Sequence, residues 1–178
     1  MLSNILKYGA IAGIVAGVLV SIQALTISHD VPAAWAMALG FATMLVAFTA
    51  VFAGIKRRRD GDLGGVIRFW PAFGMGLAMS VLASIIYAVT WDIFSSLSGG
   101  DFAAEYARMM VDQAKASGAT GAALDKAVAD AEAFRINYAN PLYRLPMTFM
   151  EIFPMGVLVS LVSAALLRNS QFMPARAA

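Results

Sequence analysis

Four long apolar stretches, set apart by polar segments, dominate the pattern of hydrophobic and polar positions along this chain. They cover about residues 8–27, 34–55, 71–93 and 143–167. Each is close to the roughly 20 residues that an α-helix needs to cross the hydrocarbon core of a bilayer. The pattern therefore predicts an all-α, polytopic membrane protein with four transmembrane helices, built as a single membrane domain.

The segment between the third and fourth stretches, residues 95–140, has a different pattern. Apolar residues such as Phe102, Tyr106 and Met109 recur there at helical spacing among charged residues, and Gly118 lies near the middle. This spacing predicts two amphipathic helices joined as a hairpin. The hairpin holds more acidic than basic residues, so we expect no nucleic-acid surface on it.

Composition agrees with a membrane protein. Hydrophobic residues make up 60% of the chain and charged residues only 13%, with a mean hydropathy of +0.73, whereas about a quarter of the residues of a soluble domain are charged. The chain has no cysteine, which excludes disulfides and thiolate ligands. The only histidine, His29, has no second ligand at a suitable spacing, so we expect neither a metal nor a cofactor.

Basic residues mark one side of the predicted bilayer. Four of them follow the second stretch directly: Lys56, Arg57, Arg58 and Arg59. By the positive-inside rule this loop is cytoplasmic, which places both termini inside and the hairpin outside. The same four side chains are candidates to contact anionic lipid headgroups. The last residues, 169–178, are expected to form a disordered tail.

Small residues recur at every fourth position in three of the stretches. They are Gly9, Gly13 and Gly17 in the first, Gly76 and Ser80 in the third, and Gly156 and Ser160 in the fourth. Such faces allow two helices to approach closely in a membrane. We expect them to pack within the bundle, with homodimerisation as the alternative.

One acidic residue, Glu151, interrupts the last stretch. An ionisable residue inside a membrane usually faces protein or a water-filled cavity and finds a partner. Pro154 lacks an amide hydrogen and should bend the helix beside it. Other polar residues are expected in the same half of the bilayer: Gln23, Tyr87, Asp92 and Thr148. We therefore predict a polar intramembrane cluster in which Glu151 is hydrogen-bonded by Gln23, Tyr87 or both.

Three functions are compatible with the sequence. The preferred one is a non-enzymatic interaction or assembly element of the cell envelope, which acts through its hairpin or its small-residue faces and contacts lipids and another copy or another membrane protein. A small proton- or ion-coupled transporter or channel using Glu151 is the alternative. A lipid-binding protein or membrane enzyme is the third, but acid–base catalysis would need a second positioned group, and only Asp92 is near in depth. We assign no catalytic residue.

Several short motifs run through most of the chain. They are Lys7-Tyr8-Gly9, Gly13, Gly54-Ile55-Lys56, Arg59-Asp60, Leu63-Gly64-Gly65, Tyr87, Trp91, Asn140-Pro141-Leu142, Met147-Thr148-Phe149, Glu151-Ile152-Phe153-Pro154 and Gly156. With these motifs the chain resembles a bacterial membrane family known as domain of unknown function 4199. The resemblance implies four spanning helices with a long helical loop before the last, and a location in the bacterial inner membrane. It implies no activity.

Overall fold

The computed structural model describes residues 1–26, 33–97 and 102–174, and these ranges form six α-helices. In chain order they are α1 (Leu2–Thr26), α2 (Ala33–Asp62), α3 (Phe69–Leu97), α4 (Phe102–Ala116), α5 (Ala122–Tyr138) and α6 (Pro141–Leu167). Helices α1, α2, α3 and α6 are long and apolar enough to cross a membrane. The predicted all-α class and the four predicted spans are confirmed. His29 and the short connection around it lie outside the described residues.

The chain divides into two compact units. The first consists of Met1–Trp91 and Thr148–Ala178, and the second of Asp92–Met147. Helices α4 and α5, at the position of the predicted hairpin, belong to the second unit.

Side chains from all four long helices form the core of the first unit. Ala12 of α1, Phe48 of α2, Met79 of α3 and Ile152 of α6 are almost completely buried. Lipid tails are as apolar as these side chains, so the core is held by close van der Waals packing more than by exclusion of water. Small residues at the helix contacts make that packing possible.

The glycine face of α1 lies against α3. A Cβ atom added at Gly13 would stand 2.7 Å from the carbonyl oxygen of Ala83, and one at Gly17 would stand 2.6 Å from the Thr90 side chain. Helices α3 and α6 approach in the same way, since a Cβ at Gly156 would lie 2.7 Å from the Cβ of Ser80. The small residues predicted for helix packing therefore lie at contacts within one chain.

Helix α2 continues beyond the end that its apolar stretch predicts. It passes through the whole basic run and ends at Asp62. Gly64 and Gly65 follow in left-handed conformations, with φ of 62° and 89°, and the Gly65 amide donates to the Arg59 carbonyl over 2.9 Å. A glycine in the left-handed conformation just after the last turn is a common way to end a helix. The basic side chains consequently lie on a helix, where residues four apart can pair.

A row of aromatic rings joins α4 to α5 in the second unit. Phe102, Tyr106, Phe134 and Tyr138 lie with successive ring centroids 5.0 to 5.9 Å apart. On the exposed side, Arg135 donates two hydrogen bonds to Glu132, and this pairing lowers the pKa of Glu132 below its ordinary value. The two helices thus pack against each other through these rings.

Candidate functional site

The buried face of α6 carries polar groups that satisfy one another. Ser80 of α3 donates from Oγ to the Gly156 carbonyl over 3.0 Å, and its Oγ lies 3.0 Å from Oγ of Ser160. Ser160 donates to the same carbonyl over 2.7 Å. These side chains are fully buried. The contact between α3 and α6 therefore combines close approach with interhelical hydrogen bonds, as is common in membrane helices.

The opposite side of α6 points out of the first unit and includes the acidic residue. Glu151 precedes the buried Ile152 by one position, which rotates it by about 100° around the helix axis. It is exposed, with exposed Met150, Pro154, Leu158 and Val162 along the same side. We call these five residues the Glu151 face. In a bilayer such a surface meets lipid or another protein.

The predicted polar cluster does not assemble around Glu151. Gln23 donates from Nε2 to Oγ1 of Thr43 over 2.5 Å, which occupies its amide on α2 instead. Tyr87 and Thr148 are buried. Among the residues that the structure describes, Glu151 forms no hydrogen bond or ion pair. The predicted bonds from Gln23 or Tyr87 to Glu151 are thus wrong for the single chain, because the helix period sets Glu151 apart from the buried face of α6.

Asp92, the fifth predicted member, pairs within the second unit. Arg144 donates from Nε to Oδ1 of Asp92 over 2.8 Å and a second time from Nη2. The Arg144 guanidinium also lies 5.7 Å from the centre of the Tyr138 ring. Arg144 is a site residue that the predicted cluster did not include. The available signal was that Asp92 and Arg144 end the third and begin the fourth apolar stretch, on the same predicted side of the bilayer.

Replacing Asp92 with alanine should lower the free energy of unfolding by about 2 kcal/mol, because Arg144 would lose charge-assisted hydrogen bonds. The Arg144 side chain is only 13% exposed, so water can replace the lost partner only in part. Thermal unfolding in detergent measures the effect. Lys126→Ala is the control, since Lys126 forms an ion pair with Asp130 in which both side chains are exposed; we expect a change below about 0.5 kcal/mol there. An equal loss of unfolding free energy in the two variants would show that the Asp92–Arg144 pair stabilises the protein no more than an exposed ion pair does.

Arg59 is the most deeply buried charged residue of those described. Its side chain has no exposed surface. Nη1 donates to the Phe172 carbonyl over 2.9 Å, Nη2 to the Met173 carbonyl over 2.6 Å, and Nε to Oδ1 of Asp60 over 2.6 Å. The predicted lipid contact of Arg59 is therefore wrong. The predicted disorder is also wrong for residues 169–174, since Phe172 packs against the core.

The other basic residues of this run are largely neutralised. Lys56 pairs with Asp60, and Arg58 with Asp62 at 2.6 Å. Arg57 is exposed. A helical run that supplies its own acidic partners is a weaker attractant for anionic lipids than its sequence alone indicates.

Metal binding finds no support in the described ranges. Among residues 1–26, 33–97 and 102–174, no group of three or more His, Cys, Asp or Glu side chains is placed to hold an ion.

Four apolar helices with a packed interior and one outward-facing carboxyl define the class, an all-helical polytopic membrane protein. The chain belongs to the family described as protein of unknown function (DUF4199), whose model matches residues 7–169. This confirms the resemblance inferred from its motifs. No curated protein and no solved structure matches the chain.

Proposed function

We propose that this protein is a non-enzymatic assembly element of the bacterial inner membrane, which binds another transmembrane segment along the Glu151 face. One observation carries the proposal. An exposed carboxyl without a hydrogen-bonding partner among the described residues lies on a face that is otherwise apolar. A partner helix that brings a hydrogen-bond donor to this face would give the Glu151 carboxyl a hydrogen bond.

The Glu151 carboxyl lies deep within α6, far from both ends of the helix. Glu151 lies ten residues after Pro141 and sixteen before Leu167, or about 15 and 24 Å from the two helix ends at 1.5 Å per residue. An acidic side chain near the centre of a membrane helix costs at least about 2.5 kcal/mol when it faces lipid. Each hydrogen bond to a neighbouring helix returns about 0.6 to 2 kcal/mol. The Glu151 face therefore has a lower free energy when a second helix covers it than when it is exposed to lipid.

The outward faces of two other spans differ from that of α6. Helix α1 exposes Ile11, Ile14, Val18 and Ile22, and α3 exposes Val81, Ile85, Val89 and Ile93. These branched apolar side chains suit contact with lipid tails. The comparison supports assigning partner binding to α6 and lipid contact to α1 and α3.

The proposed orientation places both termini in the cytoplasm and α4 and α5 on the outer side. Its support is the basic run at the end of α2, together with Arg68, Arg168 and Arg176. Short loops rich in lysine and arginine stay on the cytoplasmic side.

A proton- or ion-coupled transporter is the alternative, because Glu151 is an ionisable group well inside a span. Such a protein needs a wet path to the carboxyl. Ser80, Gly156 and Ser160 hold α3 and α6 in close contact at one level of the first unit, and Glu151 faces outward from that unit. An ion would have to reach Glu151 from the outward side, which favours assembly as the first role of this face.

A photo-crosslinking side chain placed at Leu158 in native membranes tests the assembly function. We expect a discrete protein adduct there, and only lipid adducts from the same group at Val18, which is similarly exposed on α1. Glu151→Leu should deplete the Leu158 adduct on the order of tenfold through the loss of interhelical hydrogen bonds. Glu151→Gln should keep it, because an amide both donates and accepts.

The glutamine variant also separates assembly from transport. It retains hydrogen bonding but cannot release a proton. A pH-dependent flux in liposomes that Glu151→Gln abolishes would support the transporter instead. Leu158 adducts that Glu151→Leu leaves unchanged would overturn the assembly function.

A further inference from the structure

We infer that the partner bound to the Glu151 face is a second copy of this chain, joined through α6 as a parallel two-fold dimer. This inference rests on the proposed function and names its partner. It follows from the depth of the carboxyl, from the chemistry of the other outward faces and from the proline that follows Glu151.

The depth of Glu151 in the bilayer favours a second copy as the partner. Copies inserted with the same orientation can be related by a two-fold axis along the membrane normal, and an isologous contact then places a residue near its own copy at the same depth. In such a dimer Glu151 would meet the Glu151 carboxyl of the second copy, which necessarily lies at the same depth in the membrane. A protonated carboxyl both donates and accepts a hydrogen bond. Two Glu151 side chains can therefore satisfy each other without a basic residue.

The outward faces of the other spans give the second step. The exposed isoleucine and valine side chains of α1 and α3 offer no donor. Exposed Thr49 on α2 donates to the Val46 carbonyl of its own helix over 2.6 Å. A head-to-tail contact between α6 and one of these faces would leave Glu151 without a good partner. The contact between copies is consequently α6 with α6, which closes as a dimer and does not extend into a chain.

Pro154 gives the third step. The carbonyl of Met150 would ordinarily accept the amide hydrogen of residue 154, but proline has none. Met150 and Pro154 both lie on the Glu151 face. The face thus combines a carboxyl that can donate with a backbone carbonyl left free to accept. A protonated Glu151 of the second copy has one hydrogen to donate, so it bonds either the opposite carboxyl or this carbonyl.

The residues of the face also lie in line along α6. Glu151, Pro154, Leu158 and Val162 follow one another at intervals of three or four residues and form a single stripe. Two such stripes can pack at the small crossing angle that most membrane helix pairs adopt.

Disulfide cross-linking tests the dimer, because the natural chain has no cysteine. Leu158→Cys, purified and reconstituted in liposomes, should give a covalent dimer under mild oxidation. Val18→Cys on α1 is the matched control, with an exposed fraction of 47% against 58% for Leu158, and it should stay monomeric at the same dilution.

Substitution of Glu151 in the Leu158→Cys chain then tests the role of the carboxyl. We expect Glu151→Leu to lower the cross-linked fraction on the order of tenfold at limiting protein density. Glu151→Gln should preserve it, since paired amides can also bond reciprocally. Glu151 has no partner within the described chain, so both variants should fold, and circular dichroism with thermal unfolding verifies this.

The outcomes separate this inference from the function on which it rests. Equal cross-linking at positions 18 and 158, or none at 158, overturns the two-fold dimer. The assembly function survives that result if the photo-adduct at Leu158 in native membranes still depends on Glu151. The assembly function and the dimer are both wrong if Glu151→Leu lowers the yield of neither the disulfide dimer nor the photo-adduct.

Discussion

Replacing Arg59 with alanine is expected to lower the free energy of unfolding by about 3 to 5 kcal/mol, as breaking a buried charge interaction commonly does. The guanidinium has no exposed surface and joins Asp60 to the carbonyls of Phe172 and Met173. Alanine would leave the two carbonyls without these donors and open a void at the end of α2, while Asp60 would keep its pairing with Lys56. The segment after α6 should then lose its attachment to the first unit.

Thermal unfolding in detergent gives the stability change, and limited proteolysis reports on residues 169–174. Arg58→Ala is the control, because Arg58 belongs to the same run but pairs with Asp62 at a partly exposed position; we expect a change below about 0.5 kcal/mol for it. Arg59→Lys should recover part of the stability, since an ammonium keeps the charge but lacks the planar fork that spans three acceptors. Equal stability of the Arg59→Ala and Arg58→Ala proteins would show that the buried contacts contribute little.

Introducing leucine at Gly13 should destabilise the contact between α1 and α3 by about 3 kcal/mol, at the upper end of the usual range for overpacking. Even the first atom of the new side chain would lie 2.7 Å from the Ala83 carbonyl oxygen and 2.8 Å from the Cβ of Ile86. A backbone carbonyl in a helix cannot move aside without shifting the helix. Gly13→Ala should therefore also destabilise the protein, to a smaller extent.

Gly74 is the matched control for this prediction. It also lies inside a spanning helix, but a Cβ there meets no heavy atom within 4 Å. Gly74→Ala should be neutral or stabilising by up to about 1 kcal/mol, the difference in helix propensity between the two residues. If both alanine variants shifted the unfolding temperature in the same direction by the same amount, the close contact at Gly13 would not limit stability.

The number of spans and the presence of two further helices before the last span could be predicted from the sequence because both depend on local periodicity. An apolar run of about 20 residues indicates a spanning helix whatever its neighbours are. The glycine series at 9, 13 and 17 predicts a close-packing face, since that spacing keeps small side chains on one side of a helix. Neither inference needs knowledge of the partner helix.

The burial of Arg59 could not be predicted in the same way. Hydropathy treats every arginine of the run alike, and the groups that hold Arg59 are backbone carbonyls more than a hundred residues away. Backbone acceptors leave no mark in a sequence. The run therefore appeared to be a uniform cytoplasmic patch, although its four members have three different environments.

The outward position of Glu151 could have been predicted from the sequence. Thr148, Ile152, Gly156 and Ser160 recur at four-residue steps on the buried face. A residue one position before Ile152 lies about 100° away from that series. Depth alone led to the predicted cluster, whereas depth combined with helical phase places the carboxyl outside it. The same phase argument assigns Thr148 to the interior.

Energy transfer between donor- and acceptor-labelled chains, diluted stepwise across liposomes, most directly tests whether two copies associate through Glu151. The two-fold dimer predicts a single dissociation curve for the natural chain, a dissociation constant weakened on the order of tenfold by Glu151→Leu, and a nearly unchanged constant for Glu151→Gln. Superimposable curves for the natural chain and Glu151→Leu, or no transfer above random proximity, would contradict it.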